Sequence, residues 1–210
     1  MLTNKTFLTG LVVVIIAALA YFFLSDDAAD GFTTVDPKTY RQQVIESRTK
    51  KNDFFRTSAE SPLTDKTAFS GLRYFSPDPA YRVVARLEPF ADKTQKLVVT
   101  LTDGSEEVYD KYAHVVFSLN GEACRLLVVK LKDTYSILFR DATSAKTTYG
   151  GGRYLELDPK LMQENRAVLD FNAAYNPYCA YNPSYACPLP PKENQLPIAI
   201  EAGEQYVAHD

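Results

Sequence analysis

The pattern of apolar and polar residues changes twice along the chain. The segment Phe7–Leu24 reads FLTGLVVVIIAALAYFFL and is apolar without a single charge. A stretch with helical spacing begins at Asp36, and from Ala80 onward short apolar runs alternate with turn residues. This order predicts an apolar N-terminal helix, then an amphipathic helix, then a β domain.

The apolar segment Phe7–Leu24 has the length of a short membrane-spanning helix, which needs roughly 17–25 residues. Lys5 precedes it and Asp26 follows it, and a positive N-terminal flank predicts that the rest of the chain lies outside the cytoplasm. A cleaved signal peptide is the alternative, because residues 18–20 (Ala-Leu-Ala) resemble a cleavage site. We expect an uncleaved single-pass anchor, since cleavage there would leave the apolar residues 21–24 at the new end.

These features predict an anchor in residues 1–25, a polar linker in residues 26–35 and one domain in residues 36–210. The domain opens with a helix at Asp36-Pro37, because Asp is a favoured N-cap and Pro suits the first helical position. We expect this helix to end before Ser61-Pro62. The residues predicted near one face of it are Tyr40, Val44, Ile45, Arg48 and, further along, Phe55.

Strands are predicted where β-branched and apolar residues cluster between turn signals. Asp103-Gly104 and Asn120-Gly121 are pairs that hairpin turns prefer. The expected fold is mainly β, an antiparallel β-sandwich or a partly closed barrel, with the amphipathic helix on an edge or over one mouth. The predicted strands are residues 81–87, 96–101, 113–119, 122–131, 135–139, 154–157 and 168–171.

Composition narrows the function classes. The chain has 210 residues, a net charge of -3 and a pI near 5.5, which argues against a nucleic-acid partner because phosphates demand a basic face. No cofactor and no metal are expected, since His114, Cys179 and Cys187 make a thin ligand set with unsuitable spacing. The absence of a GxSxG motif argues against a familiar serine hydrolase.

The most unusual segment is Asp170–Asn194, which contains four tyrosines and five prolines. Such a segment cannot be a regular helix or strand, and a long ordered loop often serves binding or catalysis. Asp170 and Asn172 flank Phe171 at strand spacing, so we expect both on one side of the chain. A repeated Tyr-Asn-Pro theme adds Tyr175, Asn176 and Tyr181 as ligand-binding candidates. The alternative is that these residues only build the loop.

A glycine loop, TYGGGRY at residues 148–154, supplies the last ligand-binding candidate, Arg153. Glycines allow close backbone approach to a ligand, but a tight connection into a strand is the favoured interpretation. The planar guanidinium group of Arg153 has N–H donors in a fixed arrangement that suits a carboxylate or phosphate. Alternatively, Arg153 forms a structural ion pair with an acid such as Asp170.

Three cysteines in an exported domain suggest one disulfide and one free thiol. Cys179 and Cys187 lie close together in the irregular segment, so we expect the bridge between them. Cys124 falls in a predicted strand, where a free cysteine acts as a small hydrophobe. The alternative is that Cys179 and Cys187 are both reduced and packed.

Three segments carry a family resemblance. They are SPLTDKTAFSGLRYFSPDPAYRVVARLEPF (61–90), LFRDATSAKTTYGGGRYLEL (138–157) and LDFNAAYNPYCAYNPSYACPLPPKENQLPIAIEAGE (169–204). In this order they closely resemble the DUF1684 family of bacterial proteins. The resemblance implies membership of a family of unknown function and supplies no catalytic residues.

Three functions therefore stay open at this point. The favoured one is an anchored, extracytoplasmic module that binds a small molecule or an envelope protein, because tyrosine and asparagine suit sugars, peptides or small acids. The second is a hydrolase that uses Asp170 and Arg153 in a cleft walled by Tyr175 and Tyr181. The third is a purely structural or interaction domain.

Overall fold

The computed structural model of the protein describes residues 35–206. The predicted anchor, Phe7–Leu24, lies outside these residues, as does most of the predicted linker. Within residues 35–206 no helix combines the length and the apolar character needed to cross a membrane.

Helix α1 spans Pro37–Thr57 and begins where the sequence predicts. The Asp36 side chain accepts a hydrogen bond from the Thr39 N–H at 2.8 Å, which caps the helix. Tyr40 and Phe55 are buried against the β domain, whereas Ile45 is 49% exposed. The prediction that Ile45 shares the buried face is wrong, because a residue five positions after Tyr40 lies about 140° around the helix.

The β domain contains eight strands and five single 3₁₀ turns. The strands are β1 Arg82–Pro89, β2 Lys96–Thr100, β3 Glu106–Leu119, β4 Glu122–Leu131, β5 Thr134–Phe139, β6 Arg153–Leu157, β7 Met162–Gln163 and β8 Arg166–Asp170. One turn precedes β1, one joins β6 to β7 and three follow β8. The turns span Pro79–Tyr81, Pro159–Leu161, Phe171–Ala173, Tyr178–Ala180 and Lys192–Asn194.

All eight strands belong to one antiparallel sheet that curls into a half-barrel, in the order β6-β5-β4-β3-β1-β8-β7. Strand β2 lies off this path and pairs with the first half of β3. A register shift between Lys111 and Ala113 separates the half of β3 that pairs with β2 from the half that pairs with β1. The mainly β, antiparallel prediction is confirmed, and the single curled sheet matches the partly closed barrel rather than the sandwich.

Both predicted hairpin turns are confirmed. Asn120 and Gly121 connect β3 to β4 with φ values of 53° and 83°, the left-handed pair that a tight two-residue hairpin requires. Asp103 and Gly104 lie in the turn between β2 and β3. The sequence prediction missed the first half of β3, residues 106–112.

Strand β4, which lies between β5 and β3, is buried on both faces, so the domain has two apolar clusters. Leu126 lies in the larger cluster with Phe139, Phe171 and Ile200, because alternate strand residues share a face. Its neighbour Leu127 lies in the smaller cluster on the other face. The segment 188–200 packs against the sheet: the Leu189 N–H donates to the Thr100 carbonyl oxygen at the end of β2, and Leu196 and Ile200 belong to the larger cluster.

A buried asparagine fastens this covering segment to the sheet. The Asn194 side chain accepts a hydrogen bond from the Leu127 N–H at 2.6 Å and donates to the carbonyl oxygens of Leu127 and Leu138 at 2.9 and 2.8 Å. Asn194 is 1% exposed. Its three bonds thus satisfy backbone groups that would otherwise be buried without partners.

Candidate functional site

An open cleft of about 360 Å³ lies between α1 and the segments that follow β8. Three basic and two acidic side chains line it, together with tyrosines and one asparagine. Its polar lining includes Tyr40, Arg48, Lys51, Tyr74, Arg82, Asp170, Asn172, Tyr175 and Glu204. The cleft therefore brings together residues from opposite ends of the domain sequence.

Asp170 occupies one side of this cleft, at the end of β8. Its carboxylate accepts the Tyr40 hydroxyl at 2.7 and 2.9 Å, and the Asn172 N–H and Nδ2 at 3.0 and 3.1 Å. Asn172 is 2% exposed and also pairs through its side chain with the Asp78 backbone. Asp170 and Asn172 thus lie together, as predicted, but they are bonded to the protein's own donors.

Glu204 is the second acid of the cleft and is fully buried. It forms an ion pair with Lys51 of α1 at 2.6 Å, between Nζ and Oε1. The Tyr181 hydroxyl donates to the other oxygen, Oε2, at 2.7 Å, and the Asn176 N–H donates to it at 2.8 Å. Glu204 therefore ties α1 to the tyrosine-rich segment, a role that sequence analysis did not assign to it.

Arg48 and Lys51 present the positive charge on the helix side of the cleft. Arg48 donates to the carbonyl oxygens of Phe75 and Asn172 at 2.8 and 3.2 Å, and its guanidinium lies 4.5 Å from the Tyr74 ring centroid. Its Nε is buried and has no hydrogen-bond partner among the described residues. Lys51 lies over the Tyr175 ring at 4.3 Å, with its side chain 30% exposed.

The tyrosines around the cleft are held in their neutral form. Burial, reinforced by the neighbouring carboxylates Asp170 and Glu204, raises the pKa of Tyr40, Tyr74 and Tyr181 well above the ordinary value. At neutral pH these hydroxyls are therefore hydrogen-bond donors, and none is prepared to act as a base.

The raised pKa values of these tyrosines predict how the folded chain behaves at high pH. A raised folded-state pKa contributes stability that is complete below the unfolded pKa of about 10 and is lost as pH rises above it. We expect folded protein at about pH 11 to show less tyrosinate absorbance than the same chain in guanidinium chloride. Superimposable titration curves for folded and unfolded chain would contradict the raised pKa values. Tyr181→Phe should narrow the gap between the curves.

Arg153 does not lie in the cleft lining. It is 1% exposed and pairs with Asp141 at 2.6 Å, between Nη2 and Oδ2. Its guanidinium also donates to the carbonyl oxygens of Ile200, at 2.9 Å, and Ala202. The partner suggested from sequence, Asp170, is not the partner found, because β6 pairs with β5 and the chain runs from β5 directly into Asp141. Burial lowers the pKa of Arg153, and the Asp141 carboxylate opposes that shift.

The other predicted residues either line the cleft or hydrogen-bond to residues that line it. Tyr175 lines the cleft and donates to Glu156 at 2.8 Å. Asn176 is 1% exposed, and its Nδ2 donates to the Tyr181 hydroxyl at 3.2 Å. The Asn176 N–H and the Tyr181 hydroxyl both donate to Glu204. These two residues therefore contribute to the cleft chiefly by positioning the Glu204 carboxylate.

The glycine loop forms a tight connection at Gly152. Its φ is +97°, and a Cβ built there would lie 2.5 Å from Pro190 Cγ and 2.7 Å from the Phe139 carbonyl oxygen. Only glycine satisfies both the conformation and the space. The loop packs against the protein's own backbone at this point.

The three cysteines are free thiols in the structure. The predicted partners are nonetheless adjacent, since the Cys179 N–H donates to the Cys187 Sγ at 3.1 Å. Cys124 is buried in β4, as expected for a small hydrophobe. Residues 35–206 contain no group of three or more His, Cys, Asp or Glu side chains suited to a metal ion.

Comparison with known proteins identifies the family. The family described as "Protein of unknown function (DUF1684)" matches residues 67–205. The chain belongs to the DUF1684 family. In this DUF1684 protein α1 precedes the matched residues, so the cleft is formed jointly by the family region and by a helix before it.

A solved structure supports the fold of this DUF1684 chain. This chain is similar to the uncharacterized protein from gene locus rrnAC0354 of Haloarcula marismortui, whose structure was determined by solution NMR. The two chains share 35% sequence identity, and the TM-score is 0.63. The similarity covers 80% of this chain and 95% of the other. No curated protein shows significant similarity to the chain.

Proposed function

We propose that this DUF1684 domain binds a small anionic ligand in the cleft beneath α1, and that the N-terminal segment anchors it outside the cytoplasm. The observation that carries the ligand class is the Arg48 Nε, a buried donor without a partner among the described residues. A buried donor without an acceptor is unfavourable by about 1–3 kcal/mol. Because Arg48 lines the cleft, a ligand oxygen that reached its Nε after a small shift of the side chain would remove that cost.

Lys51 is the second group that would hold an anion. Its ammonium uses Glu204 as one acceptor and has three N–H donors in all. The side chain is 30% exposed, so the remaining donors are open to a ligand. A carboxylate or phosphate would suit this pair of cations, and the Tyr74 and Tyr175 rings offer flat surfaces for its uncharged part.

The size and shape of the cleft suit a small molecule. Its volume of about 360 Å³ falls in the lower part of the range for ligand pockets, roughly 300–1,000 Å³. Gln43 and Ser47 of α1 lie at its edge and are exposed. An envelope protein would have to insert a side chain or a chain terminus to reach Arg48.

The hydrolase alternative has less support than binding. Asp170, its proposed acid-base group, already accepts hydrogen bonds from Tyr40 and Asn172, and Arg153 is buried in a pair with Asp141. The raised pKa of the neighbouring tyrosines removes them as bases at neutral pH. A binding role uses these same features as fixed donors and walls.

A blocking substitution tests the proposed cleft. Ser47→Trp places a large side chain at its edge without touching the buried acids. We expect it to abolish a thermal shift that small carboxylates or phosphates give to the full chain in detergent. A ligand at 100 times its Kd stabilises by about 2.7 kcal/mol, or roughly 5–10 °C for a domain of this size.

Thr49→Trp is the matched control, since Thr49 is exposed on α1 but does not line the cleft. It should preserve the shift, because its side chain bonds within its own helix, to the Ile45 carbonyl oxygen. A shift that survives in Ser47→Trp would place the ligand elsewhere. Stabilisation by uncharged sugars alone would contradict the proposal that the ligand is an anion. Testing a series of carboxylates and a series of phosphates separately shows which of the two groups the cleft binds.

The anchor is tested by fractionation. We expect the chain to stay in the membrane pellet after an alkaline wash, at its full-length mass, and to be digested by protease added from outside the cytoplasm. The reason is the uncharged segment Phe7–Leu24 with Lys5 before it. A soluble chain that starts near residue 21 would instead identify a cleaved signal peptide.

A further inference from the structure

Two thiols meet in the tyrosine-rich segment, outside the cleft lining. Cys179 lies in the 3₁₀ turn Tyr178–Ala180 and Cys187 in the extended chain that follows. The Cys179 N–H donates to the Cys187 sulfur at 3.1 Å. The Cys187 sulfur therefore lies against the Cys179 backbone while both thiols are reduced.

Each thiol is held by a different part of the fold. The Cys187 N–H donates to Thr102 Oγ1 at 3.0 Å, and its carbonyl oxygen accepts the Thr102 N–H at 3.0 Å, which fixes it to the β2–β3 turn. The Tyr149 hydroxyl approaches the Cys179 sulfur at 3.8 Å. Because the Cys187 sulfur already lies 3.1 Å from the Cys179 nitrogen, the two residues are close enough for rotation of the Cys179 side chain to bring its sulfur toward that of Cys187.

We propose that Cys179 and Cys187 form a reversible dithiol–disulfide pair that exchanges with an external disulfide. The Cys179 thiolate attacks one sulfur of that disulfide and releases the other as a thiolate. Cys187 then loses its proton, attacks the Cys179 sulfur and releases the second thiol. Two electrons pass to the external disulfide, which leaves as two thiols carrying the two protons.

The surroundings of the two thiols set this order of attack. Cys179 is partly exposed, so an external disulfide can reach it. Cys187 is 7% exposed, and burial raises the pKa of its thiol to about 12. Cys187 is therefore the resolving thiol, which acts only once the mixed disulfide has formed beside it.

The pair lies next to residues that support the cleft from behind its lining. Tyr178, which begins the turn, and Tyr181, which follows it, pack edge-on against Phe55 of α1, with ring centroids 6.3 and 5.1 Å apart. Tyr181 also donates to Glu204. A disulfide would fix this turn against the β2–β3 turn, whether or not the cleft holds a ligand.

Thiol counting on the full chain in detergent tests the pair. Titration through dithiothreitol redox buffers should reduce the accessible thiols of the denatured chain from three to one, and peptide mapping should place the bond between Cys179 and Cys187. The oxidised form should melt about 5 °C higher, because the cross-link restricts the unfolded chain. Reduction should restore all three thiols.

Serine variants assign the bond. Cys124→Ser, at a buried site in β4, should still lose two thiols, whereas Cys179→Ser and Cys187→Ser should lose none. Three thiols throughout the redox series in the unsubstituted chain would overturn the proposal, even if a variant failed to fold. So would a mapped bond that includes Cys124 or links two chains.

Discussion

Arg153→Ala is expected to lower the free energy of unfolding by about 3–5 kcal/mol, the usual result of breaking a buried ion pair from one side. Asp141 would be left without its cation in a site where its side chain is fully buried. The carbonyl oxygens of Ile200 and Ala202 would lose their charged donor. Chemical denaturation of the variant and the unsubstituted chain measures the difference.

Two further variants show whether the buried pair is the cause. Arg125→Ala removes an exposed arginine, 3.5 Å from Glu88 and 54% exposed, and should cost less than about 1 kcal/mol. Arg153→Met with Asp141→Asn removes both charges and should recover much of the lost stability. If Arg153→Ala were no more damaging than Arg125→Ala, the pair would not be holding the segment that ends at Glu204.

The contrast between Arg153 and Asp170 shows what the sequence can predict. Both residues attract attention in the sequence, and each is a charged residue at one end of a strand. Which acid meets Arg153 depends on strand pairing, because β5 brings Asp141 to β6. Strand neighbours are not encoded within a short window, so the partner could not be chosen in advance.

Local signals were predictable and long-range ones were not. The Asp36 cap and the Asn120-Gly121 turn each rest on two or three adjacent residues, and both are found as predicted. The first half of β3 was missed because it is polar and its Val108 is 55% exposed beside Val98. Tyr109 is buried in this half of the strand, but one buried residue among charged neighbours gives no alternation to detect.

Glu204 was missed for a different reason. Its place near the end of the chain gives no sign that it is buried, since burial comes from Lys51 of α1 and from Tyr181. Only a fold that joins these segments makes Glu204 part of a site. Glutamate is rarely fully buried in proteins, so the ordinary expectation for Glu204 was an exposed side chain.

Glu204→Gln is expected to change stability and ligand affinity in opposite directions. Loss of the carboxylate weakens the bonds from Tyr181 and the Asn176 N–H and removes the charge partner of Lys51, which should lower the free energy of unfolding by about 2–3 kcal/mol. The Lys51 ammonium is then free of its internal competitor. An anionic ligand found in the thermal-shift screen should bind several-fold more tightly, measured by calorimetry well below the melting temperature.

Lys51→Met separates this expectation from a purely structural role. It leaves Glu204 buried without its cation, so stability should fall, and it also removes a proposed ligand contact, so affinity should fall as well. A structural role for Glu204 predicts that both variants weaken binding through the damaged fold. Tighter binding in Glu204→Gln together with weaker binding in Lys51→Met has one simple cause: the ligand anion and the Glu204 carboxylate compete for the same ammonium group.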